Sequence, residues 1–302
     1  MNGVLPLRKP KGMTSHDCVN RVRKIFQTKK VGHTGTLDPE VEGVLPICIG
    51  EATKLVELLM NDTKGYVGEA TFGFSTTTED AHGEIVETKK IEETITNEEI
   101  DKRLESFVGE IDQIPPMYSA VKINGKKLYE YAREGKIIER PARKITIHSL
   151  ERTTETINED GLVRFSFDVT CSKGTYIRTL AVDIGKSFGY PAHMSHLVRT
   201  KSGAITIDKT VTFEELEEAK KNDELQNHLL PIEEIIGFLP KFYPNDEILT
   251  KVKNGVVLPK EVFPTNDDRF VLYTKENKAV AVYENHPTKN GLMKLTRMFH
   301  NF

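Results

Sequence analysis

The residues of this 302-residue chain whose types and spacing could do chemistry gather in one stretch, Gly32-His33-Thr34-Gly35-Thr36-Leu37-Asp38-Pro39, which runs on into EVEGVLPICIG. A carboxylate, an imidazole and two hydroxyls there share one short segment. A carboxylate presented in this way can act as a nucleophile or carry a proton. Glycine reaches backbone conformations that other residues resist, and proline drives the residue before it into an extended conformation. Asp38 is therefore expected on an irregular loop just ahead of a buried strand at 44–49. A strand mounting such a loop is a common way to present reactive groups. The plainer reading is an Asx-turn, in which Asp38 only bonds nearby amides. A second candidate, His193 and His196, stands three residues apart. No third ligand stands at matching spacing, so no metal site is expected there.

Several elements must position these groups. Residues 3–8 read as a first strand. Ser15 is placed to cap a helix reaching about Gln27, with Asp17 in its first turn. Val19, Val22, Ile25 and Phe26 give that helix an apolar side, and Arg21, Arg23 and Lys24 lie on the others. A helix is expected near 51–60, then a strand at 65–74. Thr96 and Glu99 match a capping box with Ile95 as its staple; Ile100, Leu104, Phe107 and Val108 mark the buried face of the helix that follows. Asn124-Gly125 signals a tight turn. Strands at 144–155 and 162–172 flank the turn NEDG, a helix covers 176–188 with Gly189 ending it, and HMSHLVRTKSGAI leads into another strand. A short acidic helix is expected at 213–221. After Gly237 the pattern becomes that of a small β-rich module, with a helix near 245–254 and strands near 269–274, 278–284 and 292–298.

The net charge of -3 conceals strong segregation. Residues 8–30 hold eight Lys/Arg against one Asp, and residues 120–144 eight bases against three acids. Residues 79–112 hold twelve acids against four bases. Segregation of this kind can build a basic face on an acidic protein, the footprint of a polyanion. In residues 114–140 the bases interleave with Tyr118, Tyr129 and Tyr131, which suits RNA because rings stack on bases while cations meet phosphates. An amphipathic helix with packed tyrosines would give the same pattern. No apolar run approaches a bilayer span, and no signal-peptide core opens the chain. Cys18, Cys48 and Cys171 form no CxxC pair, so a reducing cytoplasm is expected.

GHTGTLDPEVEGVLP, with KPKGMTSHD before it and PPMYSAVKINGKKLYEYAREG, GTYIRTLAVDIG and HLVRTKSG after it, resembles the ordered motifs of the bacterial tRNA pseudouridine-55 synthases, the TruB family. The resemblance covers roughly residues 1–210. Arg8 departs from it, because an Asp often precedes Lys-Pro there, as does Val41-Glu42, where small residues are common. It implies an α+β pseudouridine synthase fold, with a mixed, mainly antiparallel sheet flanked by helices and a thumb-like insertion at about 114–144. The implied domains are a catalytic one at 1–236 and a small C-terminal PUA-like RNA-binding module at 237–302. The implied reaction isomerises uridine 55 in the T loop of tRNA.

By that resemblance Asp38 is the nucleophile, attacking C1′ of the ribose or C6 of the base. Arg178 matches the arginine that pairs with it, and a guanidinium can hold a carboxylate through two parallel bonds. Tyr66 matches the tyrosine that stacks on the target base, its hydroxyl a candidate for proton transfer. Tyr176 matches a second aromatic of the site, Leu197 an apolar wall, and His33 the histidine that fills the space vacated by a flipped base. Lys9, Lys11, Arg21 and Lys54 are candidates to meet phosphates. No group is lost and no electron is transferred, so no cofactor is demanded. The expected partner is the T arm and elbow of tRNA, bound by a monomer, with no membrane. The competing class is an RNA-binding or tRNA-folding protein on the same scaffold without essential catalysis; a metal-dependent hydrolase built on His193, His196 and Asp38 is the remotest reading.

Overall fold

Alternation of small and apolar residues in KGYVGEATF makes Lys64–Phe72 a strand that can be covered on both faces. The computed structural model describes every residue except 61, 264, 266 and 300–302. The chain forms two compact units, Met1–Pro39 with Leu45–Met60 and Asp208–Phe302, and Glu40–Val44 with Asn61–Ile207.

In the second unit, strand Lys64–Phe72 lies between Ala192–Ser202 and Leu162–Cys171, and the order continues through Arg143–Arg152 to Gly109–Gln113. Each of these neighbours is antiparallel. Glu42 and Gly43 pair in parallel with Val198 and Arg199, so the sheet is mixed and mainly antiparallel, as expected. Gly43 (φ 117°) is required by this approach, because a Cβ there would stand 2.2 Å from the Arg199 carbonyl oxygen. Helix Ile177–Ser187 covers the face that carries Phe72 and Ala192, and its Gly185 would place a Cβ 2.3 Å from that of Ala192. Phe72 and Phe165 meet edge to face with ring centres 5.5 Å apart. The capping box of Thr96 and Glu99 is formed. Its helix stops at Glu105, however, which leaves Val108 exposed beyond the face that buries Ile100 and Leu104. Residues 65–74 are not one strand, since Gly73 (φ 117°) turns the chain into a separate strand, Phe74–Thr76.

In the first unit, Val31–His33 pairs antiparallel with Ile47–Ile49. Helix Ser15–Ile25 is capped by Thr14 rather than Ser15. Thr14 and Asp17 form the reciprocal box, whereas Ser15 turns inward and is buried. Residues 50–59 form a 3₁₀ turn, Gly50–Leu55, and one α turn, Val56–Leu59, rather than a single helix. Helix Phe213–Lys221 stands as expected. The β-rich C-terminal part is a five-stranded sheet, in the order Lys241–Phe242, Arg269–Tyr273, Ala279–Asn285, Leu292–Met298, Leu258–Pro259. Phe263, Phe270, Tyr283, Val252 and Met293 fill its core. Its two-residue strands are too short to show a period in the sequence. The three cysteines are unpaired and buried. Among the described residues no helix is long and apolar enough to cross a membrane.

Candidate active site

The Asp38 loop is held by bonds from its neighbours in the first unit. The buried Ser15 hydroxyl accepts from the Leu37 N–H at 2.9 Å and faces the Leu37 carbonyl at 3.2 Å. Thr34 N–H donates to Pro46 O at 3.1 Å, and Gly12 N–H to Pro39 O at 2.9 Å. Gly35, at φ 120°, takes the turn that another residue would resist. Asp38 itself is half-buried. His33 places Nδ1 3.0 Å from the Gly35 carbonyl, a bond that orients the ring from within the loop.

Two of the expected phosphate contacts look different in place. Lys9 is wholly buried, and its Nζ donates to Pro10 O at 2.8 Å and to Pro39 O at 2.9 Å. A lysine so enclosed braces the loop and is not presented to a phosphate. Its partner Pro39 is 30 residues away in sequence, so no local pattern could reveal it. Lys54 is half-exposed, with Nζ bonded to Met298 O at 2.7 Å and paired with Glu51 at 2.6 Å. The bond to that amine holds the Glu51 carboxyl below its usual range, with Lys30 adding to the effect.

In the second unit the register brings two expected residues, Tyr66 and Leu197, onto one face. Tyr66 is opposite Arg199, and Gly68 opposite Leu197, on neighbouring antiparallel strands. Residues directly opposite share a face, as do residues two apart. Tyr66, Leu197 and Arg199 therefore lie together, on the face whose Phe72–Ala192 end is covered by the helix that carries Arg178. Gly68 opens the space between them, since a Cβ there would come within 2.7 Å of the Phe167 ring and 3.3 Å of Leu197 Cδ1. Arg199, which is buried, donates from Nε to Val44 O at 2.6 Å. Burial, reinforced by the Arg199 charge, pushes the Lys64 ammonium down to about 8, against the opposing pull of Asp62.

Arg178 and Tyr176 open helix Ile177–Ser187. Arg178 is buried, with Nη1 donating to Thr78 O and Nη2 to Tyr118 O, each at 2.8 Å. Tyr176 is clamped through its backbone by Gln113. Its N–H donates to Gln113 Oε1 at 2.8 Å, and its carbonyl accepts from Gln113 Nε2 at 3.0 Å. Gln113 was not among the expected residues; its only sequence signal is a polar residue closing a strand just before IPPMYSA. His193 is a packed core residue, stacked on Phe74 at 4.2 Å with Nδ1 3.2 Å from Phe74 O. Burial lowers its pKa, and among the described residues no cluster of ligands could hold a metal.

The thumb-like segment forms as a local unit. Asn124 (φ 51°) and Gly125 (φ 81°) close a hairpin between Lys122–Ile123 and Lys126–Lys127, the turn expected of that pair. Helix Leu128–Arg133 follows. The half-buried Tyr129 ring has Lys127 at 5.4 Å and Arg133 at 5.3 Å, and Tyr131 has Lys126 at 4.8 Å. Cations over rings leave a surface that is both basic and aromatic.

Comparison with known proteins bears on the family and the fold. The profile of the TruB family pseudouridylate synthase N-terminal domain matches residues 23–177, and that of the tRNA pseudouridylate synthase B C-terminal domain matches residues 178–236. The tRNA pseudouridine synthase B of Bacillus pumilus is 59% identical over 97% of this chain and 96% of its own. That of Bacillus subtilis is 54% identical over the same shares. Among solved structures, a Cbf5-Nop10-Gar1 complex contains a chain with a TM-score of 0.74 at 26% identity, covering 98% of this chain and 84% of its own. An H/ACA RNP bound to a substrate RNA containing 2′-deoxyuridine contains one with a TM-score of 0.72 at 25% identity, with the same coverage. A chain that builds this mixed sheet, carries the family's motifs in order and matches these relatives over 96% of their length belongs to the TruB family of pseudouridine synthases, and it is an isomerase of that class.

Proposed function

We propose that this protein isomerises uridine 55 in the T loop of tRNA to pseudouridine, with Asp38 as the nucleophile. The observation that carries the reading is the Asp38 loop, fixed on buried groups at Ser15, Lys9 and Pro46. In the reaction the bond from N1 of uracil to C1′ breaks, the base turns, and C5 bonds to C1′. The proton that C5 gives up is replaced by one on N1, so atoms and electrons balance without an added reagent. A carboxylate splits the exchange into two easier steps, and attack at C1′ or at C6 equally requires that it be held still. In this reading Arg178 pairs with Asp38 and orients it, while Tyr66 stacks on the base and its hydroxyl accepts the C5 proton. Tyr176 and Leu197 wall the pocket, and His33 takes the place of the flipped base. Lys9 serves by holding the loop. The thumb offers its cations and rings to the T arm, and residues 237–302 add RNA contact. One chain supplies every group that this requires, so a monomer suffices, and the three unpaired thiols suit the cytoplasm.

The test is to incubate the pure protein with an unmodified T-arm stem-loop and map pseudouridine along it. Product at the T-loop uridine is expected. Product at another uridine would overturn the assigned position, and binding without product would favour the tRNA-folding alternative.

A further inference from the structure

Arg178 depends on a backbone carbonyl whose own position needs explaining. Thr78 O accepts from Arg178 Nη1 at 2.8 Å, and the next residue, Glu79, has φ 64°. A glutamate in the left-handed region carries strain that its surroundings must offset. The surroundings are well defined. Glu79 N–H reaches Thr76 O at 3.2 Å, and Glu79 O accepts from Met194 N–H at 3.0 Å. Thr78 and His82 both bond Asp80 Oδ1, at 2.6 and 2.9 Å. The Glu79 carboxylate accepts from the Thr179 hydroxyl at 2.6 Å. Two consecutive loop residues, Thr78 and Glu79, thus grip two consecutive helix residues, Arg178 and Thr179.

We propose that Glu79 is a positioning residue for Arg178: its bond to Thr179 docks the 76–80 loop on the helix, presents the Thr78 carbonyl to the guanidinium, and supplies that guanidinium with a counter-charge. The inference rests on the reading that Arg178 orients Asp38. Glu79 is enclosed but not sealed off, because the residue lines a cavity of about 390 Å³ together with Ser75, Thr76, Glu87, Lys186 and Tyr190. Protons can therefore reach it. Arg178 and Lys186 act on it from the helix and Arg140 from the segment ahead of strand Arg143–Arg152; Glu87 lines the same cavity, and Asp80 follows in the same loop. Asp183 stands 3.8 Å from Lys186. Burial raises the Glu79 pKa, with the Thr179 bond and the Arg178 charge opposing.

The experiment compares wild type with Glu79→Gln, Thr179→Val, Thr179→Ser and the Gln/Val double variant. It measures affinity for a T-arm stem-loop and single-turnover rate across pH, with thermal melting to confirm folding. Glu79→Gln should slow turnover by about ten- to a hundredfold, the scale of a small misplacement of a reacting group, with affinity unchanged. Wild type should lose rate as pH falls and Glu79 takes up its proton, approaching the rate of Glu79→Gln, which should lack that acid limb. Thr179→Val should resemble Glu79→Gln, Thr179→Ser should recover most of the rate, and the double variant should be no slower than the worse single one. Wild-type rates in Glu79→Gln, an unchanged acid limb, affinity falling in step with rate, or additive losses would each overturn the inference. A wild type that forms no pseudouridine would overturn the proposed function as well, whereas an active wild type with an indifferent Glu79→Gln would overturn this inference alone.

Discussion

The Asp38 loop and the thumb are both turn-rich segments with conspicuous side chains, yet they are built in opposite ways. The loop at 32–39 is fixed from outside itself. A lysine nitrogen, a serine hydroxyl and backbone groups of residues 12 and 46 hold it, and the first two belong to buried residues. The thumb, apart from the Arg178 bond to Tyr118 O, is built from local contacts. Its hairpin, its helix and its ring–cation pairs all lie between residues 118 and 136. The Ser15–Leu37 bonds in the first are sheltered from water, and losing one strands a buried partner. Contacts in the second sit at the surface, where each is individually weak. A reacting group needs the first kind of support, since misplacement by a fraction of an ångström is costly. A surface that must adapt to RNA is better served by the second, because its cations can exchange an internal partner for a phosphate at small cost.

Three variants would break or sharpen this contrast. Asp38→Asn should have the largest effect, abolishing product while affinity for tRNA stays within about tenfold. Parallel loss of binding would show that Asp38 holds the loop together instead of acting from it. Lys9→Met keeps the apolar stem and removes the ammonium, leaving the Pro10 and Pro39 carbonyls short of a donor. Urea denaturation should show a loss of about 3 kcal/mol, since bonds to charged groups are worth about 1.5–3 kcal/mol each, and turnover should fall. An unchanged midpoint would remove the brace from the account. Charge reversal of Lys126 and Lys127 to Glu should have the smallest effect on the protein, leaving the denaturation midpoint in place. The same pair should weaken RNA binding and flatten its salt dependence by a slope of about 1–2, the share of two phosphate contacts. A variant that unfolds early but binds normally would reverse the roles given to the two regions.

What the sequence shows and what it hides divide along the same line. Bonds that close within a few residues are legible. Thr96 with Glu99 and Asn124 with Gly125 announce their cap and their turn, and the alternation in Lys64–Phe72 announces its strand. Thr14 and Ser15 show the limit, because either can cap a helix. The choice was made by Leu37, 22 residues on, which claims the Ser15 hydroxyl. Lys9 is misread for the same reason: a lysine in a basic segment is ordinarily solvated, and its carbonyl partner is remote. Gln113 and Glu79 are also invisible locally, since their partners stand 63 and 100 residues away. The family's motifs mark Arg178 and Tyr176, but not the residues that hold them.

The three buried thiols have a use unconnected with catalysis. Burial pushes Cys18 and Cys171 up to about 11 and Cys48 up to about 12. A thiolate is the species that reacts, so in the closed protein these sulfurs are shielded by both access and protonation. Modification by a thiol reagent then waits on opening of the surrounding structure. Cys18 and Cys48 belong to one unit and Cys171 to the other. The native sequence thus carries a separate clock for each half of its fold, readable by mass without any label being engineered in.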